Sequence, residues 1–410
     1  MRQYFRNAVY AVEYAPWLTR KLLLRVAVFC ALMTVGLLVL DLAVHTGAAL
    51  TDASGEHLGR DFFNFWSNTL LAASGQPGEA YHLSLDRPVD QSLTYPPIVM
   101  LFWWPLARLS FIHALLAWSS LGLALCAWSL SQIIDWERAL LASVGAPAAV
   151  VNLLIGQNGY FTAALLASGL ALLECCPVGA GILLGMLCCK PQLGVLVPVG
   201  LGVGGYWRAL VVAAATALLL AAGSAILLGP DTWAAFFDRL ILQRRLMEIR
   251  VAEWCWMPTV FAMMRLAGAS VAAAYLTQGA SALAAAAAVA ALWRRSCSLE
   301  IKSASLVIGT FLATPHAWDY DAVILVFAAA WLATEAAKTG FRPWEKISIL
   351  VLLILPALSF VPARFLHLQI APILLWLIMA VLLRRGLAGP FREWLWSASF
   401  PRRHDGRFPG

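Results

Sequence analysis

The chain has 410 residues, of which 61% are hydrophobic and only 12% are charged, and its formal net charge is +7. A soluble globular domain carries about 25% charged residues, so this composition excludes an ordinary soluble fold. Many apolar runs approach the ~20 residues that cross a bilayer, and in lipid each span must satisfy its own backbone hydrogen bonds. We therefore predict an all-α polytopic membrane protein, with one integral membrane domain over residues 1–410 and about 10–12 transmembrane helices.

The net positive charge does not indicate a nucleic-acid partner, because the basic residues lie in short loops and tails. Residues 1–25 hold five basic residues against one acid, and six arginines follow Leu383. Short loops rich in arginine and lysine stay on the cytoplasmic side. We therefore expect a multi-pass protein of the plasma membrane with both termini in the cytoplasm, the basic tail 384–410 included. The loop 45–95 has six acids and two arginines, which indicates the opposite side.

Apolar runs and the breaks between them predict the elements in chain order. A first span over 26–44 precedes the loop 45–95, and three prolines make 95–110 a re-entrant or surface segment, since proline breaks a helix. The rest of the bundle, over 111–383, is predicted from the apolar runs 111–134, 139–156, 160–174, 177–189, 191–205, 209–228, 257–267, 269–292, 303–314, 318–335, 347–361 and 369–383. With the N-terminus inside, the polar features that face outside are 45–95, 156–159, 229–256 and 314–321.

The motif "HLGRDFFNFW" at 57–66 places an aspartate beside aromatic residues. On a helix, Asp61, Asn64 and Asn68 share one face, while an apolar stripe occupies the other face and consists of Phe62, Phe63, Trp66 and Leu70. This pattern predicts an amphipathic helix on the outer membrane surface. Aspartate is also among the best helix N-cap residues. Local spacing alone favours a capping role for Asp61 over a chemical role.

The motif "TPHAWDYD" interrupts a long apolar stretch. Pro315 ends one helix, and His316, Trp318, Asp319 and Asp321 precede the next. Ionisable groups at membrane depth mark a functional site or a water-filled cavity. One of the two aspartates is expected to cap the following helix, but capping does not explain His316.

Three further polar features leave alternatives open. Lys190, in "CCKPQ", could meet a phosphate in a cavity or extend to the membrane interface. Gln157 and Asn158, in "GQNG", suit sugar hydroxyls or form a simple turn. An apolar stripe in 229–256 predicts a second surface helix, and it is followed by Arg244 and Arg245, which could bind a substrate phosphate or ordinary phospholipid.

The eight cysteines lie in or beside apolar segments. The vicinal pairs lack the spacing and the neighbouring ligands of a metal site. We interpret all eight as small packing residues, and we predict neither a disulfide framework nor a bound metal.

The ordered set of motifs resembles glycosyltransferase family 87 of the GT-C superfamily. The matching stretches are "GRDFFNFW", "YPPIVMLFWWPLARL", "IGQNGYFTAALL", "GAGILLGMLCCKPQLGVLVPV", "LLGPDTWAAFF" and "TPHAWDYD", which together cover about residues 55–325. The resemblance implies a GT-C type bundle with outer-face loop helices and a periplasmic active site. Its donor would be a hexose carried on polyprenyl phosphate, and the family resemblance implies mannose as that hexose. Its acceptor would be a lipid or a glycan.

The resemblance also carries residue roles onto this sequence. The essential acid of the first outer loop corresponds to Asp61, and a family histidine near the reaction centre corresponds to His316. Lys190 matches the Lys-Pro motif. We add Tyr95, Trp318 and Asp319, which stand in matching motifs, to the substrate-binding candidates. By resemblance, the sugar is expected to be transferred with inversion.

Glycosyl transfer fits these residues on chemical grounds. Asp61 could take the acceptor's proton as a general base, and the departing polyprenyl phosphate needs cationic stabilisation more than a general acid. We expect no cofactor besides the lipid-linked donor, and membrane lipids as partners. A secondary transporter or a lipid-linked sugar flippase is the alternative, although its polar groups would gather near the midplane. The enzyme hypothesis requires that Asp61 and His316 line one cavity.

Overall fold

The structure, a computed structural model, describes residues 10–47, 50–82 and 92–387. Within these ranges the chain is helical and contains no strand. The helices that we label in chain order are α1 Arg20–Val44, α2 Arg60–Ala73, α3 Ile98–Trp103, α4 Phe111–Ser131, α5 Trp136–Gly145, α6 Pro147–Ile155, α7 Gly159–Ala171, α8 Pro177–Met186, α9 Val197–Val203, α10 Trp207–Leu228, α11 Pro230–Ile249, α12 Val260–Leu266, α13 Val271–Trp293, α14 Leu299–Ala313, α15 Val323–Thr339, α16 Glu345–Leu366 and α17 Ala371–Leu387.

The all-α polytopic membrane fold is confirmed, but the number of long spans is smaller than predicted. Among the described residues, six helices are long and apolar enough to cross a membrane, or seven if the bent pair α5 and α6 counts as one span. The apolar runs behind the predicted 10–12 spans do fold as helices. Several, however, are short: α7 has 13 residues and α8 has 10. Glycine and proline cut these runs, so apolarity alone overestimates the spans.

The helix pair α14 and α15 forms the centre of the bundle. Twelve of the 15 residues of α14 are buried, and the buried residues of α15 extend from Val323 to Leu332 without a gap. In contrast, α1 buries only Thr34. It packs against α5, where Thr34 Oγ1 donates to the Val144 carbonyl at 3.1 Å and Gly145 faces the α1 backbone. The segment between α14 and α15, residues 314–322, is therefore held by the most buried helices.

The helix α2 differs from the bare surface helix that the sequence predicts. Phe62 and Phe65 are buried, and the Phe65 ring lies 4.5 Å from the Trp103 ring, centroid to centroid. Asn68, expected on the wet face, is also buried and donates to the Asn64 carbonyl at 2.6 Å. The reason is that α3, α4 and the turn at Trp104–Arg108 pack on α2. The predicted polar and apolar faces thus become two sides of a packed helix.

Some predictions fall on residues that the structure does not describe. These are the first nine residues, part of the loop 45–95 with Asp86 and Asp90, and the basic tail beyond Leu387. The predicted placement of the two termini therefore lies largely outside the described residues.

Candidate active site

A cavity of about 1430 Å³ opens among helix ends and the segments between them. Eight of the ten predicted site residues line it, namely Asp61, Tyr95, Gln157, Lys190, Arg244, His316, Trp318 and Asp319. Asn158 and Arg245 are not part of its wall. The requirement that Asp61 and His316 share one cavity is met, and the side of the membrane to which the cavity opens stays a prediction.

Asp61 does not cap its helix. The N-cap of α2 is Gly59, whose backbone is left-handed with φ 58°, and Asp61 stands in the first helical turn. A carboxylate there is favoured by the positive end of the helix dipole. Asp61 Oδ2 accepts a hydrogen bond from Gln157 Nε2 at 2.7 Å, and Oδ1 lies 3.6 Å from Arg60 Nε. The cavity therefore holds this carboxylate in a fixed orientation.

The turn that contains Gln157 depends on two glycines. Gly156 ends α6 with φ 70°, and a Cβ there would lie 2.4 Å from Phe62 Cβ. Gly159 begins α7, and a Cβ there would lie 2.3 Å from the carbonyl oxygen of Tyr320. Any side chain at either position would push the turn away from α2 or from the segment 314–322. The glycines of "GQNG" thus bring Gln157 within reach of Asp61.

Lys190 makes a buried ion pair rather than facing the cavity as an unpaired cation. It is 1% exposed, and its Nζ lies 2.5 Å from Asp321 Oδ1 and 3.0 Å from Asn158 Oδ1. Its ammonium also stands 4.5 Å from the centre of the Tyr320 ring, a cation–π distance. Asn158 therefore binds Lys190 in this structure, and the sequence alternative in which Lys190 extends to the interface is wrong.

Asp321 joins this pair to the start of the next helix. Its Oδ2 accepts the backbone N–H of Trp318 at 3.0 Å, while its Oδ1 faces Lys190. The N-cap of this turn is Trp318, so neither aspartate is the expected N-cap residue, although Asp321 accepts the N-cap N–H from within the first turn. Asp319 Oδ1 accepts the N–H of Tyr320 at 2.8 Å, and its side chain forms part of the cavity wall.

His316 is a neutral imidazole at the cavity wall. Burial lowers its pKa to about 4, against the opposing effect of Asp321. Trp318 Nε1 donates to His316 Nε2 at 3.3 Å, and a nitrogen that accepts carries no proton, so the proton of the neutral ring lies on Nδ1. His316 can therefore donate a hydrogen bond at neutral pH but does not carry charge there.

The two predicted arginines point to different sides of α11. Arg244 lines the cavity, and its Nε lies 3.0 Å from Glu248 Oε1, which raises the pKa of the guanidinium. Arg245 is exposed outside the cavity wall, so the prediction that both face the substrate is not supported for Arg245. The reason is helix geometry, since consecutive residues point about 100° apart.

Sequence reasoning missed one residue and one contact of this region. Arg239 is buried, lines the cavity and donates from Nε to Ser92 Oγ at 2.8 Å. Its sequence signal is a single arginine between the apolar residues Phe236 and Leu240, on the buried side of the helix. The pairing of Asp321 with Lys190 joins positions 131 residues apart, and one sequence carries no signal for that contact.

The polar residues form a continuous chain of contacts around one side of the cavity. It runs from Asp61 through Gln157 to the backbone of Asn158, then from the Asn158 side chain through Lys190 to Asp321. An oriented carboxylate can accept a proton from a hydroxyl group, and an arginine on the wall of the same cavity can bind an anion. No group of three or more His, Cys, Asp or Glu side chains in the described part of the chain is placed to hold a metal ion.

Comparison with known proteins gives one match. The model of glycosyltransferase family 87 matches residues 93–315. None of the curated proteins and none of the solved structures matches the chain. The matched region includes Tyr95, Gln157, Lys190 and Arg244, and it ends directly before His316, whereas Asp61 precedes it.

Proposed function

The chain belongs to glycosyltransferase family 87 and is a membrane glycosyltransferase, and from this premise we propose that it moves a hexose from polyprenyl phosphate to a lipid or glycan acceptor. The observation that carries the proposal is the shared cavity, in which the Asp61 carboxylate and the Arg244 guanidinium face one volume. A lipid-linked donor needs both a base for the acceptor and a cation for the phosphate. Mannose is the hexose that we propose to test first.

The proposed reaction is a single displacement at C1 of the sugar. The acceptor hydroxyl loses its proton to Asp61 while its oxygen forms the new bond to C1, and the bond from C1 to the phosphate oxygen breaks. The polyprenyl phosphate leaves as an anion, so no protonation of the leaving group is needed. A single displacement inverts the configuration at C1. This scheme requires neither a metal nor a cofactor.

Two further residues have proposed roles in this reaction. Arg244 binds the leaving phosphate by a charge-assisted hydrogen bond, sharing its charge with Glu248. His316 donates from Nδ1 to an oxygen of the phosphate or of the acceptor. Its neutrality suits this role, because a neutral imidazole donates one hydrogen bond and costs less to bury than a charged one.

The donor class can be tested with purified protein in lipid vesicles. Radiolabelled mannose is supplied either on polyprenyl phosphate or on a nucleotide, together with an extracted lipid acceptor fraction. We expect label in the acceptor only from the polyprenyl-phosphate donor, because the cavity is bounded by apolar helices that suit a lipid. Transfer from the nucleotide sugar alone would overturn the proposed donor.

A matched pair of variants tests phosphate recognition in the same assay. Arg244→Ala should raise the KM for the donor by about tenfold, since a hydrogen bond to a charged group contributes about 1.5–3 kcal/mol and Glu248 offsets part of it. Arg245→Ala removes the same charge from the next position, outside the cavity wall, and should leave KM unchanged. Equal effects would point to bulk attraction to phospholipid instead.

We also propose that the cavity opens to the extracytoplasmic side of the plasma membrane. The support is that it is lined by the loop after the first span, which is acid-rich, whereas basic turns lie at the far end of α14. In a background with all eight native cysteines changed to serine, Ser54→Cys should react with an impermeant maleimide added outside whole cells. Ser296→Cys, an exposed position at the other end of α14, should react only after lysis. The reverse pattern would place the cavity inside.

A further inference from the structure

The Gln157 side chain has an orientation that a sugar-binding amide does not require. Its Oε1 accepts the backbone N–H of Asn158 at 3.0 Å. A backbone N–H can only donate, so the atom that faces it must be the amide oxygen. The amide nitrogen therefore points away, and it lies 2.7 Å from Asp61 Oδ2. The turn itself, rather than a substrate, decides that Gln157 presents a donor to Asp61.

We propose that Gln157 is the positioning residue that holds Asp61 ionised and correctly turned for proton abstraction. A donor N–H stabilises a carboxylate and not a carboxylic acid, so this hydrogen bond favours the ionised form that proton abstraction needs. Gln157 acts through Asp61 and touches no reacting atom. This inference rests on the proposed function, in which Asp61 is the base.

The turn around Gln157 is rigid enough for such a role. Gly156 and Gly159 fix its path against α2 and against Tyr320. The Asn158 side chain that follows is bound to the ammonium of Lys190, which is itself paired with Asp321. A side chain on this turn has little freedom to leave Asp61, so its hydrogen bond costs little further ordering.

The decisive variant is Gln157→Glu. Glutamate has nearly the same shape and keeps an oxygen for the Asn158 N–H, but it replaces the donor with a second carboxylate next to Asp61. Two carboxylates at hydrogen-bond distance share a proton, and the pKa of one is strongly raised. In a plot of kcat against pH, the acid limb should shift to higher pH by at least about one pH unit. At a pH on that limb, this shift corresponds to an about tenfold lower rate.

The other ionisable groups near Asp61 are the same in the wild type and in the Gln157→Glu variant. Arg60 is on the same helix, and Asp319 and Tyr320 interact with Asp61 electrostatically across the cavity. The elements packed on α2 and the surrounding wall add Glu79, Arg108, His113, Tyr95, Lys190 and His316. Because all of these are present in both proteins, a shift of the limb reports the change at position 157.

Two more variants keep the test decisive. Gln243→Glu adds the same charge to the wall of the same cavity, from α11, and should shift the limb much less. Gln157→Leu removes the donor and should lower kcat about tenfold with little change in KM. It serves as the test if Gln157→Glu does not fold, as judged by size-exclusion chromatography.

The outcomes separate this inference from the proposed function. If both Gln157 variants raise KM and leave the acid limb in place, Gln157 binds the sugar and the positioning role is wrong. If Asp61→Asn abolishes transfer but neither Gln157 variant changes kcat or the limb, only this inference falls. If Asp61→Asn keeps full transfer, Asp61 is not the base and the proposed mechanism is wrong, whatever the Gln157 variants do.

Discussion

Asp61→Asn is expected to lower the rate of sugar transfer by about 10²–10⁴-fold, which is the usual contribution of a positioned general base. Asparagine has the same shape as aspartate and can still accept the hydrogen bond that Gln157 donates to Asp61 at 2.7 Å. The variant should therefore fold normally and fail only in proton abstraction. The measurement is the initial rate with a labelled polyprenyl-phosphate sugar in vesicles that contain equal amounts of protein.

The matched control for this prediction is Glu56→Gln. Glu56 is an exposed acid on the wall of the same cavity, and the change also removes one negative charge. We expect its rate to stay within about threefold of wild type, since the residue has no proposed part in the chemistry and an exposed charge interacts weakly in water. A similar loss in both variants would mean that the charge of the cavity matters and not the base. Full activity of Asp61→Asn would remove Asp61 from the mechanism.

The positions of the helices could be predicted from the sequence because apolar composition decides where a chain can enter lipid. The run 209–228 is observed as α10, and 269–292 as α13. The number of long spans could not be predicted in the same way. Short helices such as α7 and α8 satisfy their backbone inside the bundle, where neighbouring protein replaces lipid.

The site could be predicted as a set of residues but not as a set of contacts. Asp61 and His316 are polar groups in an apolar chain, and both reach the cavity. In contrast, the buried Phe62 depends on α4, whose Phe111 and Trp118 rings lie 6.1 and 5.9 Å from its own. The hydrogen bond from Gln157 to Asp61 spans 96 positions. Local spacing determines which residues share a helix face, whereas tertiary packing determines what that face meets.

The buried pair of Lys190 and Asp321 provides the second large expected effect. Lys190→Met alone leaves the Asp321 carboxylate buried without its cation, and removing one partner of a buried ion pair costs about 3–5 kcal/mol. Asp321→Asn alone leaves the ammonium in the same situation. We expect each single variant to unfold at a clearly lower temperature in detergent, because both side chains are almost completely buried.

The double variant Lys190→Met/Asp321→Asn separates structure from chemistry. It removes both charges, and asparagine can still accept the N–H of Trp318, which Asp321 accepts at 3.0 Å. Replacing a whole buried pair by neutral groups of similar volume is often close to neutral for stability. We therefore expect its unfolding temperature to return most of the way to that of wild type, so that its loss is smaller than the sum of the two single losses.

The activity of that double variant then decides between the phosphate role that the sequence leaves open for Lys190 and the structural role that its pair with Asp321 indicates. If the lysine only holds the segment 314–322 in place, restored stability should restore most of the transfer rate. If its ammonium also stabilises the leaving phosphate, the folded double variant should remain slow by at least about tenfold, since a charge-assisted contact to a phosphate contributes about 1.5–3 kcal/mol. The existing contacts favour the first outcome, because the ammonium is already matched by one carboxylate, one amide oxygen and the Tyr320 ring.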